Sequence, residues 1–186
     1  MPGWPDLYLM RHGQTEWNAQ GRMQGRLDSP LTPLGLAQAR RQGWLVRDLR
    51  GVARYASTAG RAQQTARIVF AGQDFTSDAR LHEIDIGDFT GRLWDELRAE
   101  RPEIFAGGGL DWYDLAPGGE HFAGLEARVR SFLQELDRPA LIVTHGITLR
   151  MLRLVAMGLP RERLAEMPVT QGALHLVSRG RHRVFY

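Results

Sequence analysis

The sequence predicts an α/β fold in three layers, with a mainly parallel central sheet and helices on both faces. Three observations carry this. Short apolar runs alternate with amphipathic stretches along the chain, the pattern of strand–helix units in a parallel sheet. One run, Ala140 to Thr144, is almost continuously apolar, as expected of a strand covered on both faces. No repeat, low-complexity tract or composition shift divides the 186 residues, a length that suits one compact domain over 1–186.

The elements follow in order. Leu7 to Met10 reads as the first strand. Thr32 and Pro33 open a helix as N-cap and first helical residue. It runs to about Leu49 and is expected to bury Leu34, Ala37, Trp44, Leu45 and Leu49. Arg54 to Ser57 reads as a second strand, followed by a helix from Gly60 to Phe70, and Phe75 to Ala79 as a third strand. Pro102 to Gly119 is rich in glycine and aromatic residues. It reads as a loop or irregular excursion, serving either as a tolerated surface loop or as a lid or specificity wall of a pocket. The clearest helix places Phe122, Leu125, Val129, Phe132, Leu133 and Leu136 on one face, with Glu126, Arg130, Gln134 and Asp137 opposite. Arg138-Pro139 should stop it. After the Ala140–Thr144 strand, Ile147 to Met157 reads as a helix apolar on most sides and therefore well buried. Ala173 to Val177 and Arg183 to Tyr186 read as late strands, joined in a hairpin around Arg179-Gly180.

Composition narrows the function classes. Hydrophobic residues make up 43% and charged residues 24%, ordinary globular usage. The chain has no cysteine, which excludes disulfides, a thiolate nucleophile and Cys-ligated metal sites. The segment Met-Pro-Gly-Trp-Pro-Asp lacks the basic and apolar regions of a signal peptide, and no apolar run is long enough to span a bilayer. A soluble, cytoplasmic protein without membrane partners is the expectation. All 24 basic residues are Arg, and Asn18 is the only asparagine. That bias reads as coding preference, although Arg forks also bind phosphate bidentately. The Arg residues are scattered, with no aromatic-interleaved patch, so no nucleic-acid partner is expected.

Three predicted strand ends carry the chemistry. The first strand ends in Arg11-His12-Gly13. The second leads through Ser57 to Arg61 in the first turn of the next helix. The Ala140–Thr144 strand ends in His145-Gly146. In an open parallel sheet the ligand sits outside the carboxyl ends of the strands, where helix N-termini point inward. Two His and two Arg therefore converge on one place, and a glycine after each His lets the backbone turn sharply or approach a ligand closely. Fixed guanidiniums neutralise a phosphoester and stabilise its transition state. A neutral imidazole can attack phosphorus and form a covalent intermediate, and neighbouring Arg charges disfavour the imidazolium. A carboxylic acid must then protonate the leaving alkoxide.

At these residues the sequence resembles the histidine phosphatase superfamily, the phosphoglycerate-mutase-like proteins, over nearly its whole length. Five blocks in order carry the resemblance: Leu9 to Asn18, Gly25 to Thr32 with Gly35 and Gln38-Ala39, Ser57 to Ala66, Leu81 to Gly91, and Val143 to Gly146. The resemblance implies a phosphoglycerate-mutase-like fold, with His12 as the phosphorylated nucleophile. Arg11, Arg61 and His145, with Gly146, would form the phosphate pocket. Glu83 would act as general acid and then as base, a choice over Asp85 and Asp88 that rests on the family. Asn18 and Gln24 would lie beside the phosphoryl group or substrate. It implies no metal and no cofactor.

Two positions depart from the family pattern. Thr90 stands where a Glu is common and is expected to be structural; His121 stands where Ser is usual and is expected to alter the pocket edge. His82, His175 and His182 match no catalytic position and read as packing. Arg22 and Arg26 could select a second anionic group on the substrate. The block Leu81 to Gly91 and the length resemble the small phosphatases, including α-ribazole phosphatases and broad-specificity phosphatases. The expectation is hydrolysis of small phosphorylated metabolites. The alternatives are a 2,3-bisphosphoglycerate-dependent phosphoglycerate mutase and, from another class, a non-catalytic phosphate- or nucleic-acid-binding module. A homodimer is compatible with the sequence, which locates no interface.

Overall fold

The computed structural model describes residues 3–186. One six-stranded sheet has the order β3-β2-β4-β1-β5-β6. Its strands are β1 (Leu7–Arg11), β2 (Ala53–Ser57), β3 (Thr76–Asp78), β4 (Ala140–Thr144), β5 (Leu174–Ser178) and β6 (Arg181–Phe185). β3, β2, β4 and β1 run parallel to one another, and β5 pairs antiparallel with both β1 and β6. The β5–β6 turn falls at Arg179-Gly180, both in the left-handed region at φ 50° and 72°, a backbone that matches the twist of a two-residue hairpin.

Alternation along the strands builds the two faces. Leu7, Leu9, Ala140, Ile142 and Val177 point into one buried cluster with α7 (His121–Gln134) and α8 (Gly146–Met157). Met10, Ala56, Leu141, Val143 and Leu174 point into the other, against α2 (Pro33–Val46) and α3 (Gly60–Val69). All five residues of β4 are buried, as its unbroken apolar run requires. No helix among the described residues is long and apolar enough to cross a membrane.

Most elements lie where the sequence places them, but α2 is rotated from expectation. Its N-cap is Thr32, whose hydroxyl accepts from Gly35 N. Its buried residues are Gly35, Ala39, Gln42 and Val46, whereas Leu34 and Trp44 are 53% and 61% exposed. Ala37 is exposed as well, and Leu45 and Leu49 are half-buried. The inward face is set by close approach and hydrogen bonding. Gly35 abuts the backbone of Gln14, and Gln42 Nε2 donates to the carbonyls of Arg11 (2.9 Å) and Ala173 (3.1 Å).

Further differences are local. α7 ends at Gln134, ahead of Arg138-Pro139, as Glu135 N and Leu136 N make tight bonds to Phe132 O and Leu133 O. The one-turn helix α1 (Glu16–Ala19) and helix α4 (Trp94–Glu100) were not apparent in the sequence. The Pro102–Gly119 segment holds two one-turn helices, α5 (Pro102–Phe105) and α6 (Trp112–Leu115). Edge-to-face and stacked contacts join Trp94, Phe105, Trp112 and Tyr113, so this excursion is a packed wall.

Candidate active site

The parallel register of β1 and β4 sets Arg11 opposite Thr144, and His12 N continues the ladder to Thr144 O at 2.9 Å. The next residues on the two strands, His12 and His145, therefore emerge side by side, with ring centroids 5.2 Å apart. Beyond β4 lies β2, from which the chain turns into α3 and delivers Arg61. A cavity of about 280 Å³ opens here, lined by Arg11, His12, Asn18, Gln24, Arg61 and Glu83 together with Arg22, Met23, Ile86, Trp94, Trp112 and Tyr113.

His12 is 3% exposed. Its Nδ1 lies 2.7 Å from Gly13 O. A carbonyl can only accept, so Nδ1 carries the proton and the lone pair is on Nε2. Arg61 Nε donates to that Nε2 at 3.3 Å. Burial, and then the charges of Arg61 and Arg11, push the His12 imidazolium well below its ordinary range. The sequence named the Arg charges as the cause, but desolvation is the larger one.

Arg61 is held by protein acceptors on three sides. Nη1 donates to Leu27 O (2.6 Å) and Asp28 Oδ1 (2.7 Å), and Nη2 to Gly25 O (2.9 Å). Asp28 also accepts from Gly60 N and Arg61 N, capping α3 from a distant loop. Arg11 donates to Val169 O at 3.3 Å. Its buried Nε has no partner among the described residues.

Glu83 lies against the N-terminus of α8, where Ile147 N and Thr148 N donate to its carboxylate at 3.2 and 3.1 Å. The free N–H groups of a helix start suit such a charge. Gly146 fits the same packing: a Cβ there would lie 3.5 Å from Arg11 Nε and 3.6 Å from Glu83 Oε2. Gly13 serves otherwise, since a side chain there would overlap the backbone of Gly35.

The remaining predicted residues are placed less directly. His145 is fully buried behind His12 and does not line the cavity. Its Nε2 lies 2.7 Å from Ser57 Oγ and its ring stacks on His82 at 5.6 Å. Burial and the Arg61 charge keep it neutral well below the ordinary range. Gln24 lines the cavity, but both ends of its amide are engaged, Nε2 with Thr15 and Oε1 with Ser29. Asn18 Oδ1 accepts from Thr15 N and Gln171 Nε2, closing the cap of α1. Gln171 also donates to His12 O at 3.1 Å. Asp28, Ser57 and Gln171 are the supports to which sequence reasoning assigned no role, whereas Trp112 and Tyr113 fall in the segment it read as a wall of the pocket.

Other expectations resolve in the same geometry. His121 does not line the cavity; it is exposed and its Nδ1 contacts Asp114 O. Thr90 packs its hydroxyl against Gly25. Arg22 lines the cavity with its Nη1 donated to Gly91 O at 2.5 Å, while Arg26 pairs with Asp85 and Glu120. His175 is buried in the core, and His182 is half-buried beside it.

An open α/β sheet that brings a neutral imidazole, two guanidiniums and a carboxylate to one cavity at its strand ends defines a phosphoryl-transfer class of protein. The chain belongs to the histidine phosphatase superfamily (branch 1), which matches residues 7–185. It is 39% identical over 164 residues to the "Probable phosphoglycerate mutase GpmB" of Salmonella paratyphi C, covering 83% of this chain and 75% of that protein. Among solved structures it resembles YhfR of Bacillus stearothermophilus, with a TM-score of 0.83, 35% identity and coverage of 97% and 95% of the two chains. It also resembles the α-ribazole phosphatase of Shigella flexneri, with a TM-score of 0.83, 28% identity and coverage of 97% and 94%. A mycobacterial glucosyl-3-phosphoglycerate phosphatase in complex with VO3 gives a TM-score of 0.84, 29% identity and coverage of 97% of both chains.

Proposed function

We propose that this protein is a metal-independent phosphomonoester hydrolase that acts on small phosphorylated metabolites through a phosphohistidine. The observation that carries the reading is the lone pair of His12 Nε2, held on a neutral ring in the cavity that also contains Arg11, Arg61 and Glu83. In the first step Nε2 attacks phosphorus, the P–O bond to the alcohol breaks, and Glu83 gives its proton to the departing oxygen. In the second step Glu83 takes a proton from water, the water oxygen bonds to phosphorus, and the P–Nε2 bond breaks. The sum is phosphoester and water to alcohol and phosphate, with both residues regenerated. Arg61 and Arg11 balance the charge on the equatorial oxygens. The Arg61 bond to Nε2 yields to the substrate.

The apolar part of the cavity lining supports a leaving group of low charge. Met23, Ile86, Trp94, Trp112 and Tyr113 line it, while Arg22 and Arg26 are engaged with protein acceptors. A second reading, phosphoglycerate mutase, is favoured by the name of the Salmonella relative. Phosphate release from para-nitrophenyl phosphate in EDTA distinguishes them. The expected result is activity that survives the chelator and falls by ~10³-fold or more in His12→Ala. Interconversion of phosphoglycerates faster than phosphate release would establish the mutase instead.

A further inference from the structure

The two carboxyl oxygens of Glu83 have different surroundings. Oε1 accepts from Ile84 N at 3.0 Å and Thr148 N at 3.1 Å, with Thr148 Oγ1 at 3.2 Å. Oε2 accepts from Ile147 N alone, at 3.2 Å. With two main-chain N–H groups donating to it, Oε1 has both lone pairs engaged and none left for a proton of its own. Oε2 has room for one, and it lies on the Gly146 side, where the unpartnered Nε of Arg11, a free donor for a phosphate oxygen, also borders that glycine.

Thr148 decides this asymmetry. It is fully buried. Its hydroxyl lies 2.7 Å from His82 O, which can only accept, so the single hydroxyl proton goes there. Its own N–H holds Oε1. One residue in the first turn of α8 therefore ties both the backbone preceding Glu83 and the carboxyl itself. We propose that Thr148 is a positioning residue that clamps Glu83 so that Oε2 is the oxygen that delivers and recovers the proton. This rests on the reading of Glu83 as the acid–base group. In the first step the Oε2–H bond breaks as the proton moves to the leaving oxygen and the P–O bond opens. In the second step Oε2 takes one proton from the attacking water.

The test compares phenyl phosphate, a poor leaving group that needs the proton, with para-nitrophenyl phosphate, whose leaving group is stable as an anion. In Thr148→Val, kcat/KM for phenyl phosphate is expected to fall roughly 10–100-fold and that for para-nitrophenyl phosphate much less. Thr148→Ser should restore the wild-type ratio. Equal losses on both esters, no loss, or a serine variant that stays defective would each overturn the proposal. If the valine variant fails to fold, Thr148→Ala, which leaves room for water at His82 O, carries the same comparison. The underlying reading fails separately: a Glu83→Gln enzyme as active as wild type on phenyl phosphate removes Glu83 as the acid, whatever Thr148 does.

Discussion

Arg61 shows how a candidate site residue can be legible in sequence while its support is not. Its place in the first turn after a strand follows from the strand–helix pattern, and His12 is equally readable at the end of β1. Asp28, Leu27 O and Gly25 O reach the guanidinium from a loop far away in sequence, and no local periodicity encodes that contact. The same holds for Ser57 against His145 and Gln171 against His12 O. Lysine offers a point charge and cannot satisfy this fork of acceptors. Arg61→Lys should lower kcat/KM by about 10²–10³-fold. Asp28→Ala should cost less, roughly tenfold, since two carbonyls still hold the guanidinium. Steady-state kinetics on para-nitrophenyl phosphate checks both, and equal losses would mean that the ion pair alone orients Arg61.

At the scale of elements, α2 is the instructive case. Its start is readable from Thr32-Pro33, but it ends at Val46 rather than near Leu49, and its phase is not readable. Hydrophobicity points to Leu34 and Trp44 as the inner face, whereas the fold turns Gly35 and Gln42 inward to meet the backbone after β1. Where a helix must approach a loop closely, size and hydrogen bonding outrank apolarity. α7 follows hydrophobicity faithfully because Phe122, Leu125, Val129, Phe132 and Leu133 pack into the apolar cluster it shares with α8. Gly35→Ala should destabilise the protein by roughly 1–3 kcal/mol or more, whereas Leu34→Ala should stay within about 0.5 kcal/mol. Urea denaturation compares them, and a larger loss at Leu34 would return α2 to the orientation read from its hydrophobicity.

For the whole molecule, the buried histidines set the response to acid. Arg153 is fully buried and faces no carboxylate among the described residues. It donates to Leu149 O and Pro168 O and contacts the ring nitrogens of His175 (3.1 Å) and His182 (3.3 Å). Burial, then its charge, lowers His175 to about 3 and His182 to about 4. His12 and His145 are lowered as well. Each is neutral in the folded chain but takes a proton near its ordinary 6.5 once unfolded. Their contribution is therefore complete above that pH and is lost as pH falls through each folded value. The limiting slope is about 1.4 kcal/mol per pH unit for each fully buried His, and less for His182, which is partly solvated. Urea unfolding should give a constant stability from pH 8 to about 7 and a steep decline toward pH 4. A flat profile down to pH 4 would show that these rings are already charged or open to water. The parallel sheet with helices on both faces was readable from the alternation of apolar runs and amphipathic stretches, whereas the strand order was not, and this cluster forms only where β5 and β6 meet α8.

The contact between the loop after His12 and α2 has a consequence for how this fold can change. A side chain at Gly13 would strike the backbone of Gly35, and one at Gly35 the backbone of Gln14. Because the obstacle in each case is main chain, no second-site replacement of a side chain makes room. A saturation library should show two forbidden positions without suppressors, and correlated substitution would never reveal that these segments touch.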